Sequence, residues 1–220
     1  MNGKNWLKKF EIEEKPVCIK EYLLDLSKIC FREISRRNSS VKKKTMEEIL
    51  EITKYAVRDF YSNSLDVKIT KKEVKNFLRK NKFKDYHIKE SHLFGEEEEV
   101  LPFYQFIKNH NYSFDVVIPV MNGGLEPALF VETKNLIPIR YSHLKLEDKK
   151  TFIPKCYLSD LEKKIKDKNV LITEDFIVSG RSIYHVRDLV GIYNPSKMYL
   201  SRIFDESGEK KFKKKFWREI

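Results

Sequence analysis

The sequence predicts an α/β protein in which a parallel sheet follows a mainly helical N-terminal region. After residue 114, apolar runs of strand length alternate with helical patterns. Before residue 95, apolar side chains instead recur at three- and four-residue spacing, as on one face of a helix. This change of pattern divides the 220 residues into a mainly helical region, 1–95, and an α/β domain, 96–220.

Two amphipathic patterns dominate the first region. One covers residues 19–36, and the other predicts a helix from Met46 to Tyr61. Thr45 is a plausible cap for the second helix, and Glu48 three residues later would complete a capping box. Residues 65–81 then predict a short strand followed by another helix.

The second region alternates helices and strands. In order, the pattern predicts a helix at 100–109, a strand at 115–120, a helix at 126–134, a strand at 136–141, a strand at 170–173, a helix at 182–191 and a strand at 197–204. Such alternation builds a parallel sheet with right-handed crossovers. Ligands of these sheets bind beyond the carboxyl ends of the strands.

The composition indicates a folded protein of the cytoplasm. Hydrophobic residues make up 41% of the chain, yet no apolar run approaches the roughly 18 residues that span a membrane. The N-terminus also lacks the apolar core of a secretory signal. The net charge of +11 is spread evenly, so no basic arm stands out for nucleic acid, although it would attract a polyanionic substrate. The cysteines show no metal-ligand spacing.

Residues 170–182 combine two kinds of binding group at the end of a predicted strand. The apolar run 170–173 leads into the adjacent carboxylates Glu174 and Asp175, and a Ser-Gly-Arg-Ser sequence then opens the next predicted helix. Carboxylates accept hydrogen bonds from sugar hydroxyls and are oxygen ligands for Mg2+. Loop amides at the positive end of a helix bind phosphate. The stretch therefore predicts a site for a phosphorylated sugar.

This stretch resembles the phosphoribosyl-diphosphate (PRPP) motif of type I phosphoribosyltransferases, in which a strand, two acidic residues and a phosphate loop follow one another. The resemblance covers residues 114–205 and implies a type I phosphoribosyltransferase-like core. It implies that Glu174 and Asp175 are catalytic, bind the ribose hydroxyls and hold Mg2+, directly or through water or those hydroxyls. The residues that it implies for the 5-phosphate are Val178, Ser179, Gly180, Arg181 and Ser182.

A second candidate element, the turn Asn122-Gly123-Gly124, directly follows the first strand of the sheet. Paired glycines let a backbone approach a ligand and turn its amides toward it. A tight strand-to-helix turn without a ligand is the alternative. Because the family has its pyrophosphate loop here, the resemblance implies that this turn binds pyrophosphate together with Arg140. It also implies that residues 142–152, which include three lysines, close over the reaction centre.

The implied reaction moves the 5-phosphoribosyl group from PRPP to a small nitrogenous base, with Mg2+ as cofactor and pyrophosphate as product. The resemblance further implies a homo-oligomer. One residue departs from the family: Val178 stands where hypoxanthine-guanine members have Asp, and valine cannot transfer a proton. This weakens an oxopurine assignment. Phe204 and Asp205, at the end of the last strand, are candidates for lining the base pocket.

Two other functions stay open. The chain could sense PRPP without catalysis and contact nucleic acid through the basic segments 36–44 and 70–80. Alternatively, the motif could be degenerate and the helical region a protein-binding surface. DNA binding that responds to PRPP would favour the first of these, and calorimetry with PRPP and Mg2+ would test the second.

Overall fold

The computed structural model describes residues 20, 23–28, 30–31, 43–62, 97–110, 112–121, 123–142, 150–177, 180–205 and 217–219. The chain divides into two compact units, Met1–Leu93 and Phe94–Ile220. The strand and helix predicted at 65–81 lie outside the described residues. Within the described ranges, no helix combines the length and the apolar character needed to cross a bilayer.

The described part of the first unit is helical, as the sequence predicts. Residues 23–28 are helical, and helix α1 spans Lys43–Tyr61. The buried hydroxyl oxygens of Ser27 and Thr53 lie 2.8 Å apart and share a hydrogen bond, which satisfies two polar groups in the core. Because α1 begins at Lys43, Thr45 lies inside its first turn. The predicted capping box at Thr45 is therefore wrong.

The described residues of the second unit form seven strands: β1 Val116–Pro119, β2 Asn135–Leu136, β3 Arg140–Ser142, β4 Lys150–Phe152, β5 Asn169–Ile177, β6 Lys197–Asp205 and β7 Trp217–Glu219. Five of them form one sheet in the order β2-β1-β5-β6-β7. The first four of these are parallel, and β7 runs antiparallel to β6. Strands β3 and β4 form a separate antiparallel pair. The predicted α/β class with a parallel sheet is confirmed.

Within the described part of this unit, five helices accompany these strands: α2 Glu97–His110, α3 Leu125–Phe130, α4 Lys155–Leu158, α5 Leu161–Ile165 and α6 Arg181–Gly191. On one face of the sheet, Ile118 and Ile172 pack in a buried cluster with side chains of α4, α5 and α6. On the other face lie α2 and α3, which contact each other through Phe103 and Phe130 with ring centroids 6.1 Å apart. Helices on both faces exclude water from the parallel strands.

The exposed ion pair between Lys197 and Glu219 joins the edge strand β7 to β6. The Lys197 Nζ lies 3.3 Å from Oε1 of Glu219. The hydrogen bond and the negative charge of Glu219 raise the pKa of Lys197 above its ordinary value. Because solvent screens an exposed pair, this ion pair contributes little to the stability of the fold.

Helix α3 is shorter than the helix predicted at 126–134. It ends at Phe130, because Val131 is extended (φ −84°, ψ 135°) and Glu132 forms a bridge with Ser113. The next residue, Thr133, donates its hydroxyl to the Asp115 carbonyl at 3.2 Å. These partners are distant in sequence, so the local periodicity does not reveal where the helix stops.

The strand predicted at 136–141 is divided in the structure. Ile137 and Ile139 still follow β1, since their amides donate to the carbonyls of Val117 and Pro119 at 2.9 and 3.1 Å. From Arg140 onward the chain pairs with β4 instead. The segment between β4 and β5 contains α4 and α5, which the sequence analysis missed. A four-residue spacing of buried side chains, Tyr157, Leu161 and Ile165, was the available signal.

Candidate functional site

The strand that carries the two candidate carboxylates is longer than predicted. Strand β5 pairs with β1 up to Pro119↔Thr173 and continues beside β6 through Ile177↔Asp205. The prediction that it ends at residue 173 is wrong, because pairing with β6 extends it by four residues. Glu174 and Asp175 therefore occupy strand positions just beyond the carboxyl end of β1.

Glu174 is a buried carboxylate, 9% exposed. Side chains alternate between the two faces of a strand, so Glu174 lies on the face of Ile172, which is the face that α6 covers. Thr173 lies on the opposite face, where its hydroxyl donates to the Gly124 carbonyl. The carboxylate and the glycine turn are thus adjacent along β5, but they meet it from different faces.

The glycine turn packs directly on the backbone of β5. The amide of Val120 donates to the Thr173 carbonyl at 2.9 Å, and the Gly124 amide donates to the Val120 carbonyl at 2.9 Å. A Cβ atom on Gly124 would lie only 1.9 Å from the Thr173 carbonyl oxygen. Glycine is therefore required at 124 by contact with a strand. Gly123 is partly exposed, and Asn122 lies outside the described residues.

The candidate phosphate loop contains Gly180, whose left-handed backbone conformation favours glycine. Gly180 has φ +66° and precedes α6, whose first turn contains no acidic residue. The positive end of the helix is thus not offset by a local negative charge, which favours an anion there. Arg181 is exposed and Ser182 partly buried in this turn, while Val178 and Ser179 lie outside the described residues.

We expect Gly180→Ala to destabilise the fold by about 1–2 kcal/mol, because a left-handed backbone disfavours any Cβ. The added atom would also lie 2.6 Å from the Tyr184 ring. Gly191→Ala is the matched control, since its Cβ would make an ordinary contact of 3.7 Å with Met198, and alanine favours a helix. Urea unfolding measures both. Equal midpoints for the two variants would contradict this account of the loop.

Arg140 lies between the glycine turn and α6 along the chain. The residue before it, Ile139, accepts a hydrogen bond from the Met121 amide at 2.7 Å. The residue after it, Tyr141, meets the His185 ring of α6 edge to face, with centroids 4.8 Å apart. These contacts bring the partly buried Arg140 to the same edge of the sheet as both candidate loops.

The loop predicted to close over the site is framed by β3 and β4, which pair from Arg140↔Phe152 to Ser142↔Lys150. The connecting residues 143–149, with Lys145 and Lys149, lie outside the described residues. Lys150 belongs to β4. The prediction of a mobile loop is therefore not tested.

The carboxylate oxygens of Glu174 and Asp175 are of the type that binds a metal ion shared with a substrate. The described residues contain no group of three or more His, Cys, Asp or Glu side chains that could cage an ion. Mg2+ usually keeps several waters and binds one or two carboxylates together with substrate phosphates. A buried Glu174 followed by Asp175 supplies the oxygen chemistry of that kind of site.

Sequence reasoning missed two residues that organise this region. Thr173 bonds to the glycine turn, and Tyr141 holds the β3–β4 pair against α6. A hydroxyl residue at the end of an otherwise apolar strand was the available signal for Thr173. For Tyr141 the sequence carries no such signal, because its partner His185 is 44 positions away along the chain.

A family model described as a phosphoribosyl transferase domain matches residues 102–220, more than half of the chain. No curated protein gives a match. Similar solved structures include a purine phosphoribosyltransferase from Pyrococcus horikoshii OT3, 20% identical with TM-score 0.35, over 48% of this chain and 69% of that one. A hypoxanthine-guanine phosphoribosyltransferase from Bacillus anthracis is 21% identical with TM-score 0.36, over 53% and 71%. A hypothetical protein from Neisseria gonorrhoeae with bound ppGpp is 14% identical with TM-score 0.36, over 49% and 65%.

Proposed function

This chain belongs to the phosphoribosyltransferase family, and on that premise we propose that it transfers the 5-phosphoribosyl group of PRPP to a nitrogenous base. The nitrogen nucleophile forms a bond to C1 of the ribose, the bond from C1 to the pyrophosphate oxygen breaks, and the nucleophile loses a proton. One observation carries the proposal: the glycine turn, the carboxylate strand and the start of α6 occupy one edge of a parallel sheet.

Each element of this edge has a role in the proposed reaction. Glu174 and Asp175 accept hydrogen bonds from the ribose hydroxyls and stabilise the positive charge that develops on the sugar ring. The loop 178–182 binds the 5-phosphate at the positive end of α6. The turn 122–124 and Arg140 bind the pyrophosphate, whose negative charge grows as the C1 bond breaks.

We propose Mg2+ as the cofactor of this site. When bound to the diphosphate it would neutralise charge on the leaving group. Glu174 and Asp175 are the residues that would hold it, directly or through water and the ribose hydroxyls. The β3–β4 pair frames the segment that would close over the reaction, and closure would exclude water and so suppress hydrolysis of PRPP.

Release of pyrophosphate tests the proposal. The purified protein is incubated with PRPP, Mg2+ and a panel of purine and pyrimidine bases, and pyrophosphate is measured with and without EDTA. We expect Mg2+-dependent release with at least one base. Because Val178 offers no proton acceptor, we expect adenine or a pyrimidine to outperform hypoxanthine and guanine. No PRPP binding by calorimetry and no turnover would refute the proposal.

The same experiment separates catalysis from a regulatory function. A PRPP sensor is the second candidate, and the basic segments 36–44 and 70–80, which could contact phosphate backbones, favour it. Binding of PRPP with no pyrophosphate release for any base would identify such a sensor. Retention of the protein on duplex DNA that changes with PRPP would then connect it to nucleic acid.

A further inference from the structure

We propose that Thr173 is a positioning residue that holds the glycine turn in the conformation that binds pyrophosphate. The inference rests on the proposed function, because it assigns a role inside that site. Thr173 is fully buried on β5, immediately before Glu174. It acts through the turn, without touching the substrate itself.

A network of three hydrogen bonds joins Thr173, Val120 and the turn, and two of the three involve Thr173 itself. The Thr173 hydroxyl donates to the Gly124 carbonyl at 2.6 Å. The Thr173 carbonyl accepts from the Val120 amide at 2.9 Å, and the Val120 carbonyl accepts from the Gly124 amide at 2.9 Å. Of these contacts, only the first depends on a side chain. It is therefore the one that a substitution removes without altering the backbone.

The Thr173 hydroxyl restricts Gly124, and glycine is the residue type that has the greatest backbone freedom. A peptide group is planar, so fixing the direction of the Gly124 carbonyl also fixes the plane that joins Gly124 to Leu125. Gly124 is then limited to backbone angles compatible with that plane, and it adopts φ −68° and ψ −6°. The preceding positions of β5, from Val170 to Ile172, are apolar, and valine at 173 would fill the same space without this donor.

A neighbouring residue provides a matched comparison. Ser201 lies opposite Thr173 in the parallel pairing of β5 and β6, so both side chains occupy the same face of the sheet. Both residues are fully buried. Among the described residues, however, the Ser201 Oγ has no hydrogen-bond partner. Of these two hydroxyls, only that of Thr173 bonds to the turn.

Calorimetry with two ligands tests the inference. Magnesium pyrophosphate probes the glycine turn, and ribose 5-phosphate probes the carboxylates and the phosphate loop. We expect Thr173→Val to weaken pyrophosphate binding by about five- to tenfold, the loss of one hydrogen bond, and to leave ribose 5-phosphate binding within about twofold. Thr173→Ser keeps the donor and should retain wild-type affinity for both ligands. Ser201→Ala should also retain it.

Each contrary outcome has its own meaning. Equal pyrophosphate affinity in wild type and Thr173→Val overturns the inference, and so does an equal loss for both ligands, which would indicate a general effect on the fold. If Thr173→Val does not fold, Thr173→Ser, which keeps the hydroxyl, is compared with Thr173→Ala, which lacks it. Equal pyrophosphate affinities of these two variants overturn the inference. If the wild-type protein binds neither ligand, the proposed function itself fails.

Discussion

Glu174→Gln and Asp175→Asn will each lower the rate of pyrophosphate release by about a hundredfold or more. Each substitution keeps the shape of the side chain and removes its negative charge. In the proposed reaction, that charge opposes the positive charge that grows on the ribose ring, and preorganised electrostatic contacts of this kind contribute effects of about 10²–10³ in rate. A steady-state assay with PRPP and the best base measures the change.

The control for these variants is Glu162→Gln, which removes a negative charge from an exposed position in α5. We expect it to leave turnover unchanged, because solvent screens an exposed charge. Melting temperatures of all three variants separate chemistry from folding, which matters because Glu174 is buried. Turnover within threefold of wild type in both Glu174→Gln and Asp175→Asn would remove these residues from the active site.

Gly124→Ala will destabilise the second unit by about 3 kcal/mol, which corresponds to a fall of about 10 °C in Tm. The loss comes from a steric clash and not from the backbone conformation, because φ of Gly124 is −68°, an ordinary helical value. An added Cβ would lie 1.9 Å from the Thr173 carbonyl oxygen and 2.8 Å from the Val120 amide nitrogen. These two backbone atoms are joined by the hydrogen bond from Val120 to Thr173, so neither can move aside without straining or breaking that bond.

Two controls identify the cause of this loss. Gly191→Ala makes the same chemical change at a helical position where the added Cβ meets only an ordinary contact with Met198, and it should unfold at or slightly above the wild-type midpoint. The double variant Gly124→Ala with Thr173→Ala should be no more stable than Gly124→Ala. The clash is with the Thr173 backbone, so trimming its side chain gives no relief. Rescue by the second substitution would contradict this explanation.

The strand pattern of the α/β domain was predictable because its signal is local. The runs at 115–120 and 197–204 are mostly apolar and of strand length, and both appear as strands within one residue at each end. Alternation with helices then predicts parallel pairing, which the order β2-β1-β5-β6 confirms. The core strands are buried on both faces, and strands of that kind consist mainly of consecutive apolar residues.

Element ends were less predictable because contacts distant in sequence decide them. Strand β5 extends over Glu174 and Asp175 since β6 supplies partners for Glu174, Phe176 and Ile177, although two adjacent carboxylates locally suggest a loop. Helix α3 stops at Phe130 because the following residues bond to Ser113 and Asp115. In both cases the competing partner lies 18 or more residues away, beyond the window in which periodicity is informative.

The amino-acid sequence by itself determined the class of fold and the residue types that lie at the edge of the sheet where we propose that a ligand binds. Only the tertiary structure decided that Gly124 must be glycine because of β5, that Glu174 and the glycine turn meet β5 from opposite faces, and that Thr173 connects the turn to the strand. The physical reason is range: hydrophobic patterning acts over a few residues, whereas close packing joins segments about fifty residues apart.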